Sequence, residues 1–322
     1  MTSLYVDRRG VELEIDGEAL VFRENGARMG TVPLSPLSRV FLRGDVILRT
    51  SVLGKLGARG IGVIVLSGRK AEPTMLLARP HNDAARRVAQ YRLSQDSAFC
   101  LEFSRTLVLD KVNAQRTYIS SLREHEFCHR YELTLVLRAL DEMLPRIMQM
   151  AAIASLRGIE GAASAAHFRG LAAVAPPRLH FSQRNRRPPR DPFNAVLSLG
   201  YTLLHTEAVL ALYGSGLDPF IGFYHQLDFG RESLACDLVE PLRVEVDSFV
   251  LQLFRKEILR PEYFSTTESG CLMGKSVRPA FYEAWENLAE RLRKTLSDRT
   301  ARVVDKLINN AHLPIEEDGK GC

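Results

Sequence analysis

Cysteine is scarce in this chain and thinly spread. Five cysteines (Cys100, Cys128, Cys236, Cys271 and Cys322) stand among 322 residues, with no CxxC pair. An odd, dispersed set argues against a disulfide framework or a zinc ribbon and fits a reducing compartment. Long apolar runs are missing too: no stretch reaches the ~18 uncharged apolar residues that would span a bilayer. The opening residues MTSLYVDRRG hold no apolar signal core. A cytoplasmic location and no membrane partner are therefore expected. There is no internal repeat and no low-complexity tract. Acidic excess is absent as well. Net charge is +5 and the pI is about 9.0, which permits a polyanionic partner without requiring one. Lysine supplies only 8 of the 43 basic residues. The rest are arginine, the side chain suited to bidentate phosphate contacts.

What is present reads as a globular α+β protein: hydrophobic residues make up 46 % and charged residues 25 %. Residues 1–78 form a β-rich, sandwich-like domain. Short runs such as Val11–Ile15 and Leu20–Phe22 are separated by the turn pairs Asp16-Gly17 and Asn25-Gly26. One short helix is expected near Ser51–Arg59, with strands at Ile61–Leu66 and Met75–Ala78. This domain has no catalytic cluster and reads as a scaffold or dimerisation unit. Residues 79–83 read as a linker. Residues 84–313 then turn helical, with Asp83 as the first cap. Further helices are expected at Ser97–Ser121, Tyr131–Gln149, Ile153–Arg169, Ala195–Leu212, Ser233–Leu259 and Pro279–Asn310, and a small hairpin within Tyr263–Met273. Residues 314–322 read as a disordered tail.

The stretch from Asp218 to Arg243 carries the densest chemistry. Asp218 and Pro219 predict a short helix over Pro219–Tyr224, ending near His225. A second helix starts at Ser233, with Asp237 and Glu240 one turn apart and Pro241 kinking it. One imidazole and two carboxylates beside a helix break make a divalent-metal site. The same residues would equally serve as a capping histidine and a solvated acidic face, and the pattern leaves both open. Glu160 is the lone acid of Arg157-Gly158-Ile159-Glu160-Gly161-Ala162, where small neighbours let helices pack closely. It reads either as a carboxylate aimed into the gap or as an exposed helical glutamate. Arg178–Arg190 holds five arginines, no acid and two prolines. Such a loop suits a nucleic-acid backbone, with Arg184, Arg186, Arg187 and Arg190 as the contacts, or is simply solvated. His125-Glu126-Phe127-Cys128-His129 is a literal HExxH. No third zinc ligand follows soon after it, which speaks against a zinc protease.

Three extended motifs in order resemble one family. They are Leu156–Gly161, Asp191–Tyr201, and Gly216–Pro219 running through Gly222–His225 to Ser233–Arg243. The chain resembles the CRISPR-associated adaptation integrase, a metal-dependent DNA endonuclease that inserts spacers into a repeat array. The resemblance implies that Glu160, His225 and Glu240 hold Mg2+ or Mn2+ and that Asp237 supports them as a further catalytic carboxylate. It implies that 3′-hydroxyl ends of short DNA fragments are joined into a CRISPR repeat by transesterification, with branched DNA as a further substrate. It also implies a homodimer through the β domain and a small second adaptation protein as partner. His167, on the same helix face as Glu160, is expected to pack or touch DNA and not to bind metal. Two alternatives stay in view: a structure-specific DNA-repair nuclease and a non-catalytic nucleic-acid-binding scaffold.

Overall fold

The computed structural model describes residues 2–67, 72–76, 83–185, 188–225, 228–268 and 270–311. Most of the expected linker and all of the expected tail lie outside them. The chain forms two compact units, Met1–His81 with Pro279–Arg291, and Asn82–Arg278 with Leu292–Cys322. A strand-rich region thus precedes a larger helical one, as the residue pattern predicts.

The first unit holds β1 (Thr2–Asp7), β2 (Val11–Asp16), β3 (Ala19–Glu24), β4 (Ala27–Pro33), β5 (Leu37–Arg43), β6 (Val46–Leu48), α1 (Thr50–Ala58), β7 (Gly62–Ser67) and β8 (Glu72–Leu76). They build two four-stranded sheets, ordered β1-β5-β7-β8 and β4-β3-β2-β6. The β3–β4 hairpin turns on Asn25 and Gly26, whose φ values of 50° and 82° supply the left-handed pair that a tight, twist-matched turn needs. In β2, Val11 and Leu13 point inward and Glu12 and Glu14 outward. Val6, Leu13, Leu20, Val40, Val52 and Leu56 close the core between the sheets and α1. On β1, Tyr5 stacks against Phe41 at 4.7 Å and Tyr282 at 4.5 Å. Glu286 accepts from the Ser3 amide at 3.1 Å and the Tyr5 hydroxyl at 3.2 Å. These contacts explain why Pro279–Arg291 belongs with the strands, although the residue pattern assigns it to the helical domain.

The second unit holds α2 (Ala84–Ser94), α3 (Ser97–His125), α4 (Arg130–Ile147), α5 (Ile153–Val174), α6 (Pro192–Gly214), α7 (Ser233–Val239), α8 (Arg243–Arg255), the hairpin β9–β10 (Phe264–Thr267, Gly270–Met273) and most of α9 (Arg278–Ala311). Asp83, Asp96 and Asp191 cap α2, α3 and α6 by accepting amide protons of the first turn. Helix α6 is long and apolar enough to cross a membrane by length and composition. It nevertheless buries Asn194, Thr206 and Glu207, and Glu207 pairs with Arg293 at 3.0 Å, as a core helix does.

Two expectations need correction. Pro219–Tyr224 is not a helix but a run of turns. Asp218 accepts from the Phe220 amide at 2.8 Å, a local turn, and the amides that follow are taken by the side chain of Asp237. The helix expected over Ser233–Leu259 is broken by a 3-10 turn at Glu240–Leu242 and ends at Arg255. Pro241 has no N–H to continue the α-helical ladder.

Candidate metal and nucleic-acid site

Three segments of the helical unit meet around one group of charges. Helix α3 contributes Lys111, which sits on the buried stripe with Ser104, Leu107, Val108, Val112 and Gln115. Helix α5 contributes Glu160, and the 3-10 turn after α7 contributes Glu240. The Lys111 ammonium donates to Oε1 of Glu160 and, at 2.6 Å, to Oε2 of Glu240. The Ser164 hydroxyl reaches the same Glu160 oxygen at 3.1 Å. Arg243 holds the other Glu240 oxygen at 2.9 Å. Burial pushes the Glu240 carboxyl up, but Arg243 and Lys111 outweigh it and hold the group well below the usual carboxylate range. Burial alone would likewise lower the Arg243 pKa, and Glu240 more than reverses that.

Asp237 has a different task. It is fully buried on α7 and accepts four donors, which fills a carboxylate's capacity. Oδ2 takes the amides of Phe223 at 2.8 Å and Tyr224 at 3.1 Å. Oδ1 takes the His225 amide at 3.0 Å and its ring Nδ1 at 2.6 Å. An ionised Asp237 accepts from Nδ1–H, so the imidazole lone pair lies on Nε2, ready for a ligand. The clasp needs close approach at Gly222, where a Cβ would lie 2.8 Å from the Ser233 carbonyl carbon and 2.9 Å from Asp237 Oδ2. Tyr224 is buried within the field of Glu160 and Glu240. Burial first, then those two carboxylates, push its hydroxyl far up, and its Oη has no hydrogen-bond partner among the described residues.

Behind Arg243 runs a buried polar chain. The guanidinium lies 4.7 Å from the Tyr201 ring centroid. The Tyr201 hydroxyl donates to Asp247 Oδ1, and Asp247 Oδ2 meets His167 Nε2 at 2.8 Å. His167 is therefore packing, with no exposed surface to offer DNA.

The structure thus brings Glu160 and Glu240 onto one cation position and couples His225 electrostatically to Glu240. It ties Asp237 to His225. Among the described residues, no three His, Cys, Asp or Glu side chains stand close enough to hold an ion together. Between the two glutamates sits the Lys111 ammonium. The donor set still fits a hard divalent cation, because two carboxylate oxygens already converge on a positive charge beside an oriented imidazole. The pattern of residues pointed to Glu160, His225, Asp237 and Glu240 but not to Lys111. Its signal was available: one of eight lysines, set on the apolar face of an arginine-rich chain's helix.

In the basic loop, Arg184 is half-buried, bonded to Asn194 at 2.9 Å and Ser198 at 3.1 Å, and lies over the Tyr201 ring at 5.4 Å. It braces the loop against α6. Arg190 is exposed. Arg186 and Arg187 lie outside the described residues. The HExxH does not sit on one helix face. Helix α3 ends at His125, Glu126 turns out to pair with Arg255 at 2.5 Å, and His129 closes a separate 3-10 turn.

A strand-rich unit thus precedes a helical unit in which Glu160 and Glu240 meet one ammonium. The family model described as CRISPR associated protein Cas1 matches residues 4–287. The CRISPR-associated endonuclease Cas1 1 of Thermodesulfovibrio yellowstonii is 41 % identical over 296 residues, covering 91 % of this chain and 93 % of its own. The chain belongs to the Cas1 family. Among solved structures, a Cas6-RT-Cas1–Cas2 complex superposes with a TM-score of 0.80 at 22 % identity, over 96 % of this chain and 35 % of that one. A casposase bound to an integration product does so with a TM-score of 0.79 at 18 % identity, over 99 % and 96 %.

Proposed function

We propose that this chain is the integrase and endonuclease of CRISPR adaptation, joining 3′-hydroxyl ends of short DNA fragments into a CRISPR repeat by transesterification. The observation that carries this reading is the convergence of Glu160 and Glu240 on one cation position next to His225. Glu160, His225 and Glu240 would hold Mg2+ or Mn2+. Such an ion polarises a phosphodiester and stabilises charge on the leaving oxygen. The protein's own groups prepare the site. Asp237 sets the His225 tautomer and ring orientation, and Arg243 keeps Glu240 ionised. Arg190, with Arg186 and Arg187, would track the DNA backbone, while Arg184 braces their loop.

The endonuclease name of the curated relative supports phosphodiester chemistry, and the casposase with its integration product supports strand joining on this fold. The Cas1–Cas2 assembly among the structural neighbours supports a small second adaptation protein as partner. A homodimer through the β unit and a cytoplasmic location complete the reading. The test is strand joining of a labelled duplex fragment into a repeat-bearing plasmid, with Mn2+ and the second protein present. Glu160→Gln and Glu240→Gln should each abolish joining, scored per folded molecule. Joining that survives both substitutions would overturn the assignment. Cleavage of branched DNA without any joining would move the chain to DNA repair.

A further inference from the structure

Lys111 is the one buried lysine among the described residues, with 5 % of its surface exposed. An ammonium taken out of water needs counter-charges, and this one has two, Glu160 and Glu240, from elements 49 and 129 residues away in sequence. A chain that otherwise prefers arginine has placed here a compact point charge on a flexible four-carbon stem. An arginine would form a rigid planar fork; a lysine can leave by rotating its stem. The oxygens it holds are Oε1 of Glu160, which also accepts from Ser164 at 3.1 Å, and Oε2 of Glu240. Arg243 already occupies Glu240 Oε1 at 2.9 Å.

We propose that Lys111 is a built-in counter-cation of the metal site. In the metal-free protein it neutralises Glu160 and Glu240, and a divalent ion enters by displacing it from both carboxylates. The inference rests on the metal reading above and adds the residue that sets the affinity. Ammonium and metal are competing ligands for one pair of oxygens, so each weakens the other reciprocally. Without a cation, a buried Glu240 and a partly buried Glu160 would face each other, so Lys111 keeps the empty site folded. Lys111 acts on the chemistry through the two ligands and is a positioning residue.

The test is Mn2+ affinity, read by electron paramagnetic resonance on the full chain without DNA. Lys111→Met keeps the stem and removes the charge. It should bind Mn2+ about tenfold more tightly than wild type, an ordinary size for coupling between two ligands. Its metal-free form should melt at a lower temperature, with most of that loss restored by Mn2+. Equal or weaker Mn2+ binding would overturn the inference and leave Lys111 a structural bridge. No Mn2+ binding by either chain would sink the metal reading itself, and this inference with it. Should the variant not fold, the wild type decides by lysine acylation and mass spectrometry. Lys111 should be protected without metal and react several-fold faster at saturating Mn2+. Labelling unchanged by Mn2+ overturns the proposal.

Discussion

The two units bury different things. Among the described residues of the strand-rich unit, the buried set is apolar apart from Ser3. The helical unit buries Gln90, Lys111, Gln115, His167, Asn194, Glu207, Asp237, Glu240 and Asp247. An apolar core is self-sufficient, because each side chain gains by leaving water whoever its neighbour is. A buried charge is stable only with its named partner and is strongly destabilising without it. The strand-rich unit is therefore built to hold shape. The helical unit accepts a fragile interior, and the fragility is concentrated where Lys111, Glu160, Glu240 and Arg243 meet. That concentration marks the candidate site.

The contrast can be broken hardest at Glu240. Glu240→Ala leaves Lys111 and Arg243 facing a buried gap, each without one counter-charge. The loss should be about 3–5 kcal/mol of stability, as for removing one partner of a buried ion pair. Strand joining should fall about a hundredfold or more, since a proposed ligand is gone. Chemical denaturation and the plasmid assay measure the two effects separately. The strand-rich unit should answer otherwise. Leu13→Ala, at a side chain 1 % exposed in the core between the sheets, should cost about 2–5 kcal/mol through the cavity it leaves. Joining per folded molecule should stay near wild type. Loss of chemistry in that variant at full folding would erase the division of labour.

Gly222 probes how the site is held. A methyl there would press on the Ser233 backbone and on Asp237 Oδ2, both under 3.0 Å. Neither is the tip of a flexible chain, so the segment bearing His225 must move. Gly222→Ala should lose about 1–3 kcal/mol by overpacking. It should lower joining more than Leu13→Ala does, although it removes no ligand. A variant as active as wild type would show that the Asp237 clasp on His225 is dispensable.

The strand-rich unit was legible because its rules are local. Asn25-Gly26 names its own turn, and alternation in Val11–Asp16 names its own inward face. Helix α2 was legible from its cap at Asp83, and the later helices from their apolar periodicity. At the site, local spacing offered His225, Asp237 and Glu240 as one of two readings, and motif order singled out Glu160, His225 and Glu240. Lys111 was missed because its partners lie 49 and 129 residues away, and nothing within a helical turn announces them. Pro219–Tyr224 was misread for a related reason. Its composition starts a helix, but a carboxylate on α7 takes the amides a helix would need. Local propensity lost to a tertiary acceptor, at the very segment that carries His225.

The smallest expected effect lies at the edge of the site and separates the units by pH. His205 on α6 meets Glu232 at 2.6 Å and neighbours Cys236. Burial lowers the imidazole pKa, but Cys236 and Glu232 more than offset this and raise it to about 9. The same contact works on the Cys236 thiol, which burial raises and His205 pulls below its ordinary value. A histidine raised in the folded state stabilises it fully below the unfolded value of about 6.5, and the contribution fades as pH rises through the folded value. His205→Asn should therefore cost about 1–2 kcal/mol at pH 6, discounted for partial exposure, and progressively less through pH 9. Denaturation of wild type and variant at pH 6, 7.5 and 10 measures this. Leu13→Ala in the strand-rich unit should give the same difference at all three, since it removes only apolar contacts within an apolar cluster. A His205 effect equally flat with pH would mean that the ring acts by packing alone.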